Sequence, residues 1–323
     1  MTTPMPTSKV AFPVSRAYEL SDCPEERRWL IEGLWSEEAV GIVGGEPKCG
    51  KSFLALDMAV AVASGTPCLR RFAVARGGRV LLFAAEDGLS LVRRRLDGVC
   101  RAAGVDLAAL DIQVITAPTV RLDLRDDRQR LAETVAILSP RVLILDPFVR
   151  LHRIDENVSA EVAPLLAFLR DLQREHRMAV VVVHHAKKGA AKARDGQALR
   201  GSSEFHAWGD SNLYVRRHGE RLLLAIEHRA APSTTGIPLR LRKDGEALAL
   251  EVFDARTSPS PPSEESPLAR VERILADSPV PLGHDEIRRV CRIRASTLTQ
   301  TLVQLVRDGR IAKSSAGYAL AST

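Results

Sequence analysis

The sequence predicts an α/β fold: a mostly parallel central sheet covered on both faces by helices, followed by a small helical module. Three observations carry that prediction. Short runs that are apolar throughout alternate with longer helical segments from about residue 39 to residue 185; continuous apolar strands between helices mark a parallel sheet buried on both faces. After residue 200 the pattern changes to short alternating strands, which read as a meander extending that sheet. TSPSPPSEESP (257–267) is a Pro/Ser/Glu linker and the clearest boundary in the chain. With 323 residues, room for about two domains, the chain divides into an N-terminal arm (1–28), an α/β domain (29–256), the linker, and a small domain (268–323).

Each element follows from local pattern. Residues 1–25 carry Pro, Ser and Thr without a period and read as a loose arm. Residues 25–33 predict a short helix with Trp29, Leu30 and Leu34 on its apolar side. AVGIVG (39–44) stops at glycines, as a buried strand should, and KSFLALDMAVAVASG (51–65) is a helix that Gly65 ends. RVLLFAAE (79–86), DIQVIT (111–116), RVLILD (141–146) and MAVVVVHH (178–185) are the next strands. Between them lie helices at 89–104, with a basic face, and at 128–139 and 159–176. SNLYVRR, RLLLAIEHR, LRLRK and ALALEVF form the meander. Beyond the linker come three helical segments, LARVERILADS, HDEIRRVC and ASTLTQTLVQLVRDG, then a strand pair, RIAKSS and GYALA. Three helices and a small hairpin are the parts of a winged helix.

Composition narrows the class. Hydrophobic residues at 45% and charged residues at 27% exclude a disordered or fibrous chain. No apolar run approaches the roughly 18 residues that span a bilayer, and the first residues lack the apolar core of a signal peptide, so the expected location is the cytoplasm. Cys23, Cys49, Cys68, Cys100 and Cys291 are odd in number, widely spaced and without a CxxC pair, which argues for reduced thiols and against a disulfide framework or structural zinc. The net charge is +6, from 46 basic and 40 acidic residues. Nine basic and five acidic residues fall from Pro267 onward. The balance leans toward a polyanionic partner.

The chemistry begins at GEPKCGKS. Gly45, Gly50, Lys51 and Ser52 fit GxxxxGK[ST], with Glu46, Pro47, Lys48 and Cys49 between the glycines and Phe53 following. A strand precedes the motif and a helix follows it, which opposes a chance glycine-rich turn. Successive backbone N–H groups and a helix N-terminus would cradle phosphates, Lys51 would bridge the β- and γ-phosphates, and the Ser52 hydroxyl would bind Mg²⁺. ATP and Mg²⁺ are therefore the expected cofactors. Cys49 lies inside this loop, so thiol alkylation would block ATP if the thiol were exposed.

Other candidate residues stand at strand ends. Asp146 ends VLILD, where a carboxylate points toward the phosphate crevice and would hold Mg²⁺; a helix cap is the plainer alternative. Glu86 ends RVLLFAAE and would polarise the attacking water. Asp87 is its rival, with a plainer role as N-cap of the next helix. His184 and His185 tip an otherwise apolar strand; one of the two would sense the γ-phosphate, or both are satisfied structural histidines.

The chain resembles RecA-type ATPases, and more closely the RepA-like hexameric replicative helicases of plasmids within the KaiC/DnaB superfamily. The resemblance spans roughly residues 29–253. WLIEGLWSEEAVGIVGGEPKCGKSFLALDMA, LLFAAEDG with its RRRL helix, LILDPFVRLHRIDENVSAEV, VVVVHHAKKG and LRGSSEF carry it. It implies a RecA-like core, a catalytic role for Glu86, a Walker B aspartate at Asp146 and a phosphate-sensing His184 or His185. It also implies a homo-oligomeric, hexameric ring with ATP between subunits and an arginine supplied in trans. Arg229, in IEHRAAPSTTG, resembles the K-x-R-x-G segment of the DnaB type, although Glu227 stands where that pattern has lysine. Arg200 in RGSS is the other candidate.

In such rings the loops after the Walker B strand and after the sensing strand face the channel. The first loop here holds Arg150, His152 and Arg153; the second holds Lys187, Lys188, Lys192, Arg194 and Arg200. Flexible basic loops track a single-stranded phosphate backbone without reading sequence. In the last helix Leu298, Leu302, Leu305 and Val306 form an apolar face, while Ser296, Thr297, Thr299, Gln300 and Gln304 lie away from it and Arg292 and Arg294 precede it. That pattern suits a recognition helix on duplex DNA, with Lys313 and Ser314 near the wing. The expectation is an ATP-driven ring motor on DNA, a replicative helicase of a plasmid or mobile element. The alternative is a DNA-binding ATPase regulator or loader without unwinding activity. A small-molecule P-loop kinase is disfavoured, because no acceptor pocket or lid is legible.

Overall fold

The structure is a computed structural model describing residues 14–20, 28–185, 204–218, 221–245, 247–253, 267–278, 280–291, 295–314 and 316–321. It divides into two compact units, Met1–Phe253 and Asp254–Thr323.

The helix expected over 25–33 is, from Trp29 on, a short hairpin of β1 (Trp29–Ile31) and β2 (Trp35–Ser36). Gly33 turns between them with φ +66°, a left-handed conformation that glycine adopts without penalty and that interrupts a helix. The apolar residues that suggest a helical stripe instead place Leu30, Ile31, Leu34 and Trp35 in the core.

Alternation then follows: β3 (Val40–Gly45), α1 (Lys51–Ser64), β4 (Val80–Ala84), α2 (Leu89–Ala103), β5 (Ile112–Val114), α3 (Arg125–Leu138), β6 (Val142–Asp146), α4 (Ser159–His176) and β7 (Ala179–His185). A short helix α5 (Glu204–Trp208) leads to the meander β8 (Ser211–His218), β9 (Arg221–His228), β10 (Thr234–Asp244) and β11 (Ala247–Val252). Strands β3 to β11 join one nine-stranded sheet in the order β11-β10-β9-β8-β3-β7-β6-β4-β5. Strands β3 to β8 are mutually parallel, and the pairings from β8 through β11 are antiparallel, which is the predicted mostly parallel sheet with its meander.

Two apolar layers pin the sheet. Val181 and Val183 of β7 pack with α1 and α2 on one face; Val180 and Val182 pack with α3 and α4 on the other. Because both faces are covered, β7 reads as apolar throughout, and each fully buried valine contributes about 1.5–3 kcal/mol. At Gly41 a Cβ would collide with the Ser211 carbonyl oxygen, so β3 and β8 close on each other only because residue 41 has no side chain.

The second unit contains α6 (Pro267–Ala276), α7 (His284–Cys291), α8 (Ala295–Arg307), β12 (Ile311–Ser314) and β13 (Gly317–Leu320). Leu282 bridges Tyr318 through two backbone hydrogen bonds of 3.0 and 2.9 Å, adding a short third edge to the β12–β13 hairpin. Val271, Ile287, Leu298, Leu302, Leu305 and Ile311 fill its core. Val306, expected on the apolar face of α8, is 39% exposed, whereas Thr301 is buried and donates to the Thr297 carbonyl over 2.8 Å. The reason is helical phase: Leu298, Thr301, Leu302 and Leu305 share one side, and residue 306 lies past its edge. Thr299, Gln300, Val303, Gln304 and Arg307 form the exposed stripe.

Candidate functional site

Strand β3 ends at Gly45 and α1 begins at Lys51, so residues 46–50 turn from the buried strand into the helix N-terminus. Gly50 makes the turn at φ +93°, and Lys48 stands at φ +62°. Lys51 is 5% exposed and its Nζ donates to the Glu46 carbonyl oxygen over 2.8 Å. Burial pushes its ammonium pKa down, opposed by Cys49, Asp146, Glu86 and Glu46. Cys49 is buried at 1% exposure, and burial pushes its thiol up. The condition set for alkylation, an exposed thiol in the loop, is therefore not met.

Facing Lys51 across the strand ends is an acidic group. Asp146, the last residue of β6, sits in register beside Ala84 of β4. Burial pushes its carboxyl up to about 6; the nearby Ser52 hydroxyl and Lys51 pull the other way, and Asp87 and Glu86 add to the rise. Asp87 is ion-paired with Arg95, whose guanidinium lies 5.4 Å from the Phe53 ring centroid. Gly88, not Asp87, is the N-cap of α2. Glu86 lies two residues beyond β4, and Arg150 Nε donates to its Oε1 over 2.9 Å. Arg150, expected on the nucleic-acid side, is thus tied to the expected base.

These residues fit the groups that the motif implies. A hydroxyl and a carboxylate converge as an all-oxygen donor pair of the kind Mg²⁺ takes, with Lys51 near for phosphate charge. At the base of the loop only a residue without a side chain fits, since a Cβ on Gly45 would collide with the Val215 carbonyl oxygen.

The two histidines part ways, because successive residues of a strand point to opposite faces. His185 pairs in register with Gly45, on the face of α1. His184 turns to the other face, 1% exposed, edge-on to Phe205 at 4.1 Å between ring centroids and stacked over Phe148 at 6.2 Å. Its Nδ1 meets the His185 carbonyl oxygen at 2.9 Å and its Nε2 lies 3.8 Å from Glu156. Burial pushes it down to about 4, so it is neutral at pH 7. The structure therefore brings His185, not His184, to the P-loop. His152 is likewise buried, 3.3 Å from Glu156, and so is withdrawn from the surface that a channel would present.

Arg229 lies at the other end of the sheet. Asp210 donates its N–H to the Val40 carbonyl at the start of β3, and Arg229 pairs with Asp210 at 3.1 Å and donates to the Ala207 carbonyl over 2.5 Å. It is remote from its own P-loop. Arg153 is exposed. Arg200, Lys187, Lys188, Lys192, Arg194, Arg292 and Arg294 lie outside the described residues. One residue near the loop escapes sequence reasoning: Arg217 of β8 donates from Nη2 to the Lys48 carbonyl oxygen over 3.3 Å. Only the pairing of β8 with β3 reveals it, and that pairing joins residues about 170 apart in sequence.

Fold and loop together define a P-loop α/β domain. The family model described as an AAA domain matches residues 6–191, more than half of the chain, and the chain belongs to that family. Among solved structures it resembles an ATPase domain, with a TM-score of 0.52 at 14% identity over 68% of this chain and 87% of that one. It is also similar to the RadB recombinase, with a TM-score of 0.47 at 17% identity over 68% of this chain and 92% of that one. The first likeness establishes a shared RecA-like fold. No helix among the described residues is long and apolar enough to cross a membrane.

Proposed function

We propose that the protein is a Mg²⁺-dependent ATPase that acts on DNA as a ring of identical subunits, hexameric, serving as a replicative helicase of a plasmid or other mobile element. The single observation that carries the reading is the buried Lys51 at the start of α1, with the Asp146 carboxyl and the Ser52 hydroxyl near it. Lys51 binds the β- and γ-phosphates, residues 45–53 wrap the triphosphate, and Ser52 with Asp146 holds the metal. Bound there, Mg²⁺ neutralises charge on the phosphate oxygens. Glu86 orients and deprotonates the attacking water, and His185, in register with Gly45, sits where a γ-phosphate contact reaches β7. Arg229, remote from its own P-loop, serves a neighbouring subunit's nucleotide; Arg200 is the other candidate for that role.

Arg150, Arg153, Lys187, Lys188, Lys192 and Arg194 supply positive charge for a single strand in the ring. The second unit reads as a winged helix, with Arg292, Arg294 and the exposed stripe of α8 offered to a duplex. The likeness to a solved ATPase domain supports hydrolysis. The alternative, a DNA-binding ATPase regulator or loader, is favoured by two ion pairs: Glu86 with Arg150 and Arg229 with Asp210 each tie a hydrolytic candidate within the chain. Strand displacement on a forked duplex, with sedimentation in ATP, separates the two. A hexamer that unwinds supports the helicase; a DNA-binding ATPase that never displaces a strand supports the regulator.

A further inference from the structure

We infer that Arg217 is a positioning residue for the phosphate loop, fixing the Lys48–Cys49 peptide in the orientation that a bound phosphate requires. The inference rests on the nucleotide reading of that loop. Strands β3 and β8 run parallel and stay in register to Gly45↔Val215. β3 stops there, while β8 continues to His218, so Arg216 and Arg217 stand alongside residues 46–49. The approach is close enough that residue 45 must be glycine, given the Val215 carbonyl oxygen against it. From this position Arg217 Nη2 donates to the Lys48 carbonyl oxygen.

Two physical facts turn that contact into a function. The carbonyl oxygen of residue 48 and the N–H of residue 49 belong to one planar trans peptide and point in opposite directions. Holding the oxygen toward β8 holds the Cys49 N–H away from β8, and backbone N–H groups presented in series are what bind phosphate in such loops. Lys48 also sits at φ +62°, a left-handed conformation that a residue with a side chain resists. Something outside the loop must hold it there before nucleotide arrives. Arg217 supplies a charged donor to the carbonyl oxygen of that same residue, and the contact crosses 169 positions of sequence. Its guanidinium acts through the peptide, so it raises affinity for any nucleotide whose phosphates fill the loop and leaves the chemical step alone.

The test is a titration of fluorescent ATP and ADP analogues in Mg²⁺, with hydrolysis followed in parallel. Arg217→Ala should weaken ATP and ADP alike by about five- to tenfold, raising KM while kcat at saturation stays within about twofold. Arg217→Lys, which keeps a positive donor, should recover part of the loss. Lys48→Gly removes the left-handed penalty, so in that background Arg217→Ala should cost less than about twofold. A purely structural role for Arg217 would give the same loss in both backgrounds. Equal affinities of the wild type and Arg217→Ala, or identical losses with Lys48 and with Lys48→Gly, would overturn the inference alone. A wild type that binds no nucleotide, or a Lys51→Ala variant that binds as well as the wild type, would overturn the nucleotide reading and the inference together. Arg217 is exposed, and thermal melts of each variant establish that it folds.

Discussion

The Ser52 hydroxyl in the first turn of α1 lies near the Asp146 carboxyl at the end of β6 and favours its ionised form against the burial around it. These residues are 94 positions apart, and the pairing of β6 with β7 and of β7 with β3 brings them together. That position buries the carboxylate and raises its pKa to about 6. A group kept there at a cost to the ligand-free fold is what a cation site requires.

That cost is measurable. Because the folded carboxyl titrates near 6 and the ordinary value is near 3.8, its stabilising contribution is full below pH 3.8 and is lost as pH rises through 6. The difference is worth about 3 kcal/mol at pH 7. Asp146→Asn should therefore raise ligand-free stability in urea by up to about that amount while abolishing Mg²⁺-dependent hydrolysis. A variant that is both inactive and less stable than the wild type at pH 7 would refute the burial argument.

His184 titrates in the opposite sense. Burial pushes it down to about 4, so its contribution to stability is present above pH 6.5 and is lost as pH falls through 4. Relative to the wild type, His184→Gln should gain about 3 kcal/mol as pH drops from 7 to 4. Parallel pH profiles for the two proteins would show that His184 is solvated rather than packed between Phe148 and Phe205.

Much of this arrangement is legible in the sequence. GEPKCGKS between an apolar strand and a helix locates the loop, and VLILD locates Asp146, because a strand buried on both faces announces its own ends. His184 and His185 cannot be separated that way, since β7 is apolar on both faces and its alternation leaves no trace in hydropathy. The β1–β2 hairpin reads as a helix, because three apolar residues around Gly33 fit either period. The partners of Glu86, Arg229 and Lys48 are not legible. Each is a contact between a side chain and a strand end fixed by sheet order, and no local pattern encodes sheet order.

Arg150 and Glu86 form a half-exposed ion pair at 2.9 Å. Exposed pairs of this kind are worth about 0.2–1 kcal/mol, so Arg150→Ala should raise the basal rate of hydrolysis by about two- to fivefold through a freer carboxylate. The same variant should respond less to DNA. A fall in the basal rate, measured without DNA, would place the water-activating carboxylate elsewhere.

Cys49 should react slowly with a bulky maleimide in the native protein, because it is 1% exposed and burial pushes its thiol up. Mass spectrometry after brief labelling should find Cys49 unmodified in buffer and modified in denaturant. Rapid native labelling with loss of nucleotide binding would mean that the loop opens in solution.

The DNA-dependent ATPase reading rests on steady-state ATP hydrolysis with and without single-stranded DNA, run beside Lys51→Ala. The expected outcome is Mg²⁺-dependent turnover that DNA stimulates and that Lys51→Ala abolishes. Turnover that persists in Lys51→Ala, or a wild type that hydrolyses ATP at the same rate whether or not DNA is present, would contradict it.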